Sequence, residues 1–397
     1  MTTKSIKLWL AFGALLSGVA TQARPESVAE WNAQSIMARG QGNGLNATGH
    51  PSVSYEHGEF QWALRLLYER TGDKQYYDYM QKSVDNLVAP DGTIRNYNLQ
   101  EYNIDHVRVG PTCLHLYKKT GLKKYKIAAD TFRSQLETHP RNSEGQFWHK
   151  KIYPHQGWLD GIYMGDIFYA DYAKVFQPRN NTAWSDIALQ FKLQWEHTLQ
   201  NATAPNSTQT LYHGYDNSGV APWASADRGH SLEVWNRAVG WYAMALVDIL
   251  DIFPKTHPGY AMILAQLRHL IPKLRDSADK KSGVWWLVMS QPGRAGNYFE
   301  SSGAAMFIYA SLKAVRLGHV KDRDGSIVKS MKKAYSYALK NWVFENPDGT
   351  MGWNNTVIVG SLVSSGDYPY YIAQPINMND LKGAAAFVMA SVEVEAL

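Results

Sequence analysis

A short theme that recurs along the chain restricts its fold more than any other feature. A small or polar opening leads into a helix with aromatic and Ala-rich faces, a short turn, a second amphipathic helix, and a loop with Gly and Trp. The first unit reads Tyr55-Glu56-His57-Gly58 into Phe60-Gln61-Trp62-Ala63-Leu64, turns at Thr71-Gly72-Asp73, and continues as a helix from Lys74 to about Leu87. The second opens at residues 105–111, turns at Thr120-Gly121-Leu122, and runs on from Lys123 to about Leu136. Further openings stand at Trp158-Leu159-Asp160-Gly161, at residues 235–241, at Glu300-Ser301-Ser302-Gly303, and at Asn379-Asp380-Leu381-Lys382-Gly383. Their spacing, about 50 to about 80 residues, is too irregular for an open solenoid and suits a closed ring with variable loops. The expectation is an all-α fold: six hairpins in a circle, first helices inside and second helices outside, forming an (α/α)6 barrel. Strand signals are few, and only the alternating stretch near residues 284–289 is expected to pair locally.

Such a toroid gathers the openings of its inner helices at one mouth, where helix N-termini favour anionic ligands. Tyr55, Asp105, Trp158, Asp160, Arg237 and Trp241 all lie in those openings, and together they read as a polar and aromatic pocket. Aromatic residues make up 13% of the chain, with 14 Trp, 24 Tyr and 12 Phe. Most serve a core in any large protein, yet Trp and Tyr are also the flat platforms on which sugar rings stack, so a sugar-handling protein is worth testing.

The 397 residues carry 40 Lys+Arg against 35 Asp+Glu, a net charge of +5 with no long basic run, so a phosphate-tracking nucleic-acid surface is not expected. With 45% hydrophobic and 19% charged residues the chain has ample apolar surface to fold. Residues 1–23 follow a signal-peptide pattern: Lys4 and Lys7, an apolar run over 8–19, then Ala20-Thr21-Gln22-Ala23. No later stretch is apolar enough to span a membrane, so the expectation is a secreted protein with one catalytic domain over residues 24–397. Sequons at Asn46, Asn180, Asn201, Asn206 and Asn354 fit a glycoprotein, and the single Cys113 cannot form an internal disulfide. The chain is expected to act as a monomer.

Asp160 stands in an apolar context, Gln156-Gly157-Trp158-Leu159-Asp160-Gly161-Ile162-Tyr163-Met164. Either it caps a helix N-terminus, or desolvation by its neighbours raises its pKa and makes it a general acid. Asp105 faces the same choice, and the two carboxylates could also form the acid and base of an ordinary glycosidase. Arg237 heads an apolar helix and either pairs with Asp105, Asp160 or Glu233 or clamps a substrate carboxylate. His213 carries a weaker signal in its loop, and His149-Lys150-Lys151 is either a solvated charge run or a source of cations beside Asp160. Zinc spacings, a P-loop, a dinucleotide glycine signature and a nucleophile elbow are all absent, which sets those chemistries aside.

The run Trp148-His149-Lys150-Lys151-Ile152-Tyr153-Pro154-His155-Gln156, leading into Trp158-Leu159-Asp160-Gly161-Ile162-Tyr163-Met164, resembles the signature of the unsaturated rhamnogalacturonyl hydrolases, glycoside hydrolase family 105. Tyr55-Glu56-His57-Gly58, Trp235-x-Arg237-x-x-Gly240-Trp241, Glu300-Ser301-Ser302-Gly303-Ala304-Ala305-Met306 and Asn379-Asp380-x-Lys382-Gly383 extend the likeness from about residue 30 to the C-terminus. The resemblance implies an (α/α)6 barrel. It also implies hydration of the C4=C5 double bond of a terminal unsaturated galacturonyl residue, with release of a rhamnose-containing aglycone, and no metal or organic cofactor, because protonating an enol ether needs only a suitable acid. By this likeness Asp160 protonates C4 and helps deprotonate the water that adds at C5, while Asp105 holds sugar hydroxyls. Trp158 and Trp241 become sugar-contacting aromatics, Lys150, His213 and Arg237 polar or cationic contacts to the uronate, and Tyr55 a pocket-lining residue. Three other readings stay open: a related hydrolase for glucuronyl fragments of glycosaminoglycan, gellan or ulvan type, a conventional inverting glycosidase, and a silent sugar-binding protein.

Overall fold

The computed structural model describes residues 25–204 and 206–397, so the signal-peptide expectation lies outside the described residues. Among the described residues fourteen helices follow one another: α1 Val28–Ala38, α2 Tyr55–Thr71, α3 Lys74–Leu87, α4 Gly110–Thr120, α5 Lys123–Thr138, α6 Leu159–Gly161, α7 Ile167–Phe176, α8 Asn181–Thr198, α9 Asn236–Ile249, α10 Pro258–Ser277, α11 Ser301–Arg316, α12 Ser326–Asn341, α13 Tyr368–Ile372 and α14 Leu381–Val394. A π-helical turn, Ile162–Asp166, joins α6 to α7.

Two kinds of helix alternate. All residues of α9 are buried, as are nearly all of α11 and α14, so these helices have no face for water and must lie inside. By contrast α3 buries only Tyr76, Met80, Ser83, Val84 and Leu87, and α12 only Ile327, Met331, Ala334, Tyr335 and Ala338, each a single helical stripe. The inner helices close a circle: α2 packs on α4, α4 on α7, α7 on α9, α9 on α11, α11 on α14, and α14 back on α2. The protein is an (α/α)6 barrel.

The sixth pair departs from the hairpin pattern. No helix follows α14 among the described residues, and its outer partner is α1, from the other end of the sequence. Asn32 donates from Nδ2 to the Ala384 carbonyl at 2.9 Å, and Glu395 accepts from Ser27 Oγ at 2.8 Å and from the Ala29 amide at 3.1 Å.

The strands are local. Short antiparallel pairs form between β1 Gln156–Trp158 and β2 Gly214–Asp216, between β3 Val343–Glu345 and β4 Met351–Trp353, and between β5 Thr356–Val357 and β6 Ile376–Asn377. Residues 284–289 contribute isolated bridges, Trp235 with Val288 and Trp286 with Phe299. Cys113 is buried in α4, where burial pushes its thiol up to about 12 and leaves it unreactive.

Candidate active site

The inner helices begin around a small cavity of about 150 Å3, and Tyr55, Asp105, Lys150, Trp158, Asp160, Arg237 and Trp241 all line it. His149, Tyr153, Met164, Trp235 and residues 358–361 complete the wall.

Backbone pairing assembles one wall of the cavity from three distant segments. Lys150 bridges Asn103, the Ile104 amide donates to the His149 carbonyl at 3.2 Å, and the His149 amide donates to the Gln156 carbonyl at 2.8 Å. That ladder sets residues 149–150 against Asp105 on one side and β1 on the other. On the far side of β1, Trp158 pairs with Gly214 and the Leu159 amide donates to the His213 carbonyl at 3.0 Å, which brings His213 up to Asp160.

Neither carboxylate caps a helix. Asn103 caps the 3-10 turn Ile104–Val109, accepting from the Asp105 amide, and α6 has no side-chain cap. Instead the buried Asp105 carboxylate meets Lys150 Nζ at 2.7 Å and His149 Nε2 at 3.5 Å. Burial pushes the Asp105 carboxyl up, but His149 and Lys150 outweigh it and hold the group below the usual carboxylate range. Burial also drives His149 down to about 4, so its ring is neutral near pH 7 and Lys150 supplies the cation there. His149 is therefore an aromatic wall, stacked on Trp158 at 4.3 Å between centroids, and not a member of a solvated charge run. Tyr153 stacks on the same indole at 4.9 Å.

Arg237 is 1% exposed and forms no ion pair with Asp105, Asp160 or Glu233. Its Nη2 donates to the carbonyls of Val357 at 2.6 Å and Ile358 at 2.7 Å, its guanidinium lies over the Trp235 ring, and Nε and Nη1 have no partner. Glu233 instead accepts from Ser290 Oγ at 2.5 Å. The cavity thus holds a buried cation with two unpartnered nitrogens and no carboxylate in ion-pair contact, which favours an anionic guest. Trp241 is fixed by a stack on Tyr163 at 5.3 Å and by the edge of Tyr55 at 6.1 Å. Burial holds the Tyr55 hydroxyl well above its ordinary pKa, so it stays protonated.

His213 differs from its expected place. Fully buried, it lies outside the cavity wall and behind Asp160, with Nε2 3.2 Å from Asp160 Oδ2. The sequence reading passed over Tyr153, Trp235, residues 358–361 and Tyr371. Of these, Tyr153 and Trp235 lie inside motifs already singled out, and residues 358–361 and Tyr371 lie in none. Among the described residues no group of three or more His, Cys, Asp or Glu side chains converges as a metal ion would require.

This geometry is that of a sugar-processing toroid, and comparison with known proteins agrees. The sequence model of Glycosyl Hydrolase Family 88 matches residues 28–397. A solved glycoside hydrolase from family 105 of C. acetobutylicum is 38% identical, with 94% of this chain and 100% of that chain covered and a TM-score of 0.86. The chain belongs to glycosyl hydrolase family 88 and, with that close structural relative, to glycoside hydrolase family 105. The unsaturated rhamnogalacturonyl hydrolase YesR of Bacillus subtilis is 27% identical over 262 residues, 64% of this chain and 69% of that protein. Protein Atu3128 of Agrobacterium fabrum is 35% identical over 188 residues, 46% of this chain and 80% of that protein.

Proposed function

We propose that this glycoside hydrolase hydrates the C4=C5 double bond of a terminal unsaturated galacturonyl residue on rhamnogalacturonan oligosaccharides and releases the aglycone. The observation that carries the reading is the pairing, in one small cavity, of an Arg237 guanidinium with two unpartnered nitrogens and Asp160. The cation suits the uronate carboxylate, and the carboxyl suits proton transfer to the adjacent ring carbon.

Asp105, tied to Lys150 and held ionised, is a poor proton donor, which disfavours a conventional acid and base pair and leaves Asp160 to do both jobs. In this scheme the Asp160 carboxyl protonates C4, and the ring oxygen stabilises the cationic centre left at C5. The Asp160 carboxylate then takes a proton from water as the water oxygen bonds to C5. The hemiketal opens by breaking the bond from C5 to the ring oxygen, and the hemiacetal left at C1 expels the aglycone alcohol. One water is consumed, and Asp160 ends protonated as it began. The activity named for the YesR relative, an unsaturated rhamnogalacturonyl hydrolase, supports the galacturonyl assignment.

Secretion belongs to the same proposal. The N-terminal pattern supports it, and so does the exposure of Asn46, Asn180, Asn201 and Asn206. The fifth sequon differs, because its Thr356 is fully buried against Ser301 Oγ at 2.7 Å.

The test follows loss of the enol-ether ultraviolet absorbance when purified protein meets lyase-generated rhamnogalacturonan disaccharide, with the saturated disaccharide as control. Loss of absorbance with the control intact is the expected result. Turnover confined to glucuronyl analogues would move the assignment to that substrate class, and cleavage of the saturated control would overturn hydration altogether.

A further inference from the structure

Behind the cavity, two buried polar atoms have only each other. Asp160 Oδ2 and His213 Nε2 lie 3.2 Å apart, neither is reached by solvent, and neither has another hydrogen-bond partner. Their alignment falls short of a good hydrogen bond, a state common in sites that tighten around substrate. The other ring nitrogen, His213 Nδ1, lies 2.7 Å from the Tyr371 hydroxyl, which comes from α13, far away in sequence.

The tautomer of His213 follows from counting donors. Burial holds Tyr371 well above its ordinary pKa, so its hydroxyl keeps its proton. That O–H has no other partner than Nδ1, and a buried hydroxyl left without an acceptor is costly, so it donates to Nδ1. A neutral imidazole that accepts at Nδ1 carries its proton on Nε2, aimed toward Asp160 Oδ2. Asp160 Oδ2 is thereby engaged at the back, and Oδ1, which is not sealed from solvent, is the oxygen presented to the cavity.

We infer that Tyr371 is a positioning residue for the reaction: by fixing the His213 tautomer it orients the Asp160 carboxyl so that Oδ1 exchanges the proton with substrate and water. The inference rests on Asp160 being the working carboxyl of the proposed function. Tyr371 lies outside the cavity wall and stacks on Trp235 at 5.9 Å, a contact that a phenylalanine keeps.

Two readouts test it, one of them independent of any substrate. In protein labelled with 15N-histidine, the resting enzyme is expected to show His213 as the Nε2–H tautomer, and Tyr371→Phe to show a mixture with the Nδ1–H form. A wild-type spectrum with His213 as the Nδ1–H tautomer, or one unchanged by Tyr371→Phe, overturns the inference even if no substrate is turned over. Failure of every unsaturated uronide as substrate would instead sink the functional reading. On active substrate, Tyr371→Phe is expected to lower kcat about tenfold, the factor carried by one ordinary hydrogen bond, with KM unchanged. In a His213→Gln background, where the side chain at 213 has no tautomer to set, Tyr371→Phe is expected to have no further effect on kcat. A loss that multiplies in that background, or one that falls on KM alone, marks Tyr371 as merely structural. A Tyr371→Phe protein whose unfolding temperature is unchanged keeps the comparison fair.

Discussion

Asp105 and Asp160 occupy alike positions in the sequence, each in the opening of an inner helix, and have opposite fates. The first is neutralised by Lys150 at 2.7 Å, and the second has no Lys or Arg within ion-pair distance, only the His213 ring beside it. Replacing Asp160 with Asn keeps the shape and removes the transferable proton. Asp160→Asn is expected to lower kcat by about 100-fold to 10,000-fold and to leave KM for the unsaturated disaccharide nearly unchanged, in steady-state kinetics. Arg237→Ala is expected to do the reverse, raising KM tenfold or more through loss of a charge-assisted contact worth about 1.5 to 3 kcal/mol. An unchanged KM would assign Arg237 to holding the 357–358 backbone alone.

At the scale of the element, inner helices approach one another closely where they begin. A Cβ added to Gly303 in α11 would lie 2.6 Å from Asn236 Cγ and 2.9 Å from the Asn236 carbonyl carbon. One added to Gly240 in α9 would lie 2.7 Å from Met306 Sδ and 2.9 Å from its Cβ. Gly303→Ala should raise helix propensity, yet its expected effect is a loss of about 1 to 3 kcal/mol from overpacking, read as a lower denaturation midpoint together with reduced turnover. These glycines are why the openings were legible. Gly58, Gly161, Gly240, Gly303 and Gly383 mark them in sequence, and Trp and Asp residues cluster beside them. Order within each hairpin, first helix inside, likewise pointed to α9, α11 and α14 as inner, and the structure buries nearly all their residues. Other parts of the site were not legible. Residues 358–361 and Tyr371 reach it by long-range packing through a segment with no periodic pattern, and the partnership of α1 with α14 joins residues more than 350 apart. His213 had a signal as a polar loop residue, but nothing local told that β1 and β2 would bury it behind Asp160.

At the scale of the whole molecule, stability depends on how the circle is held and on the charges it hides. Asn32 is fully buried and joins α1 to α14, so Asn32→Ala is expected to cost about 1 kcal/mol, seen as a lower thermal midpoint. Buried histidines contribute to the acid limit. Burial lowers His115 to about 3, with Arg65, Lys119 and Lys118 adding to the effect. Against an unfolded value near 6.5, the unfolded chain binds the proton first as pH falls. His115 therefore destabilises the fold progressively from about pH 6.5 down to about pH 3 and has no such effect above that window. His115→Gln removes the contribution, so the drop in unfolding temperature between pH 7 and pH 4.5 is expected to be smaller than in the wild type.

The partnership of α1 with α14 also sets when the barrel can exist. Five inner-outer pairs can form as the chain emerges, but α1 waits for a helix synthesised more than 340 residues later, and until then α2 and α11 each lack an inner neighbour. The final step is thus a contact of very high sequence separation, the slowest kind to form and the one that leaves apolar walls exposed longest. Chain order and spatial order are offset by one place around the circle. Because Ser27 and Glu395 already touch at 2.8 Å, moving residues 25–39 behind α14 on a short linker would turn the ring into six consecutive hairpins. Such a permutant is expected to keep the same barrel while closing it through a neighbour-to-neighbour contact.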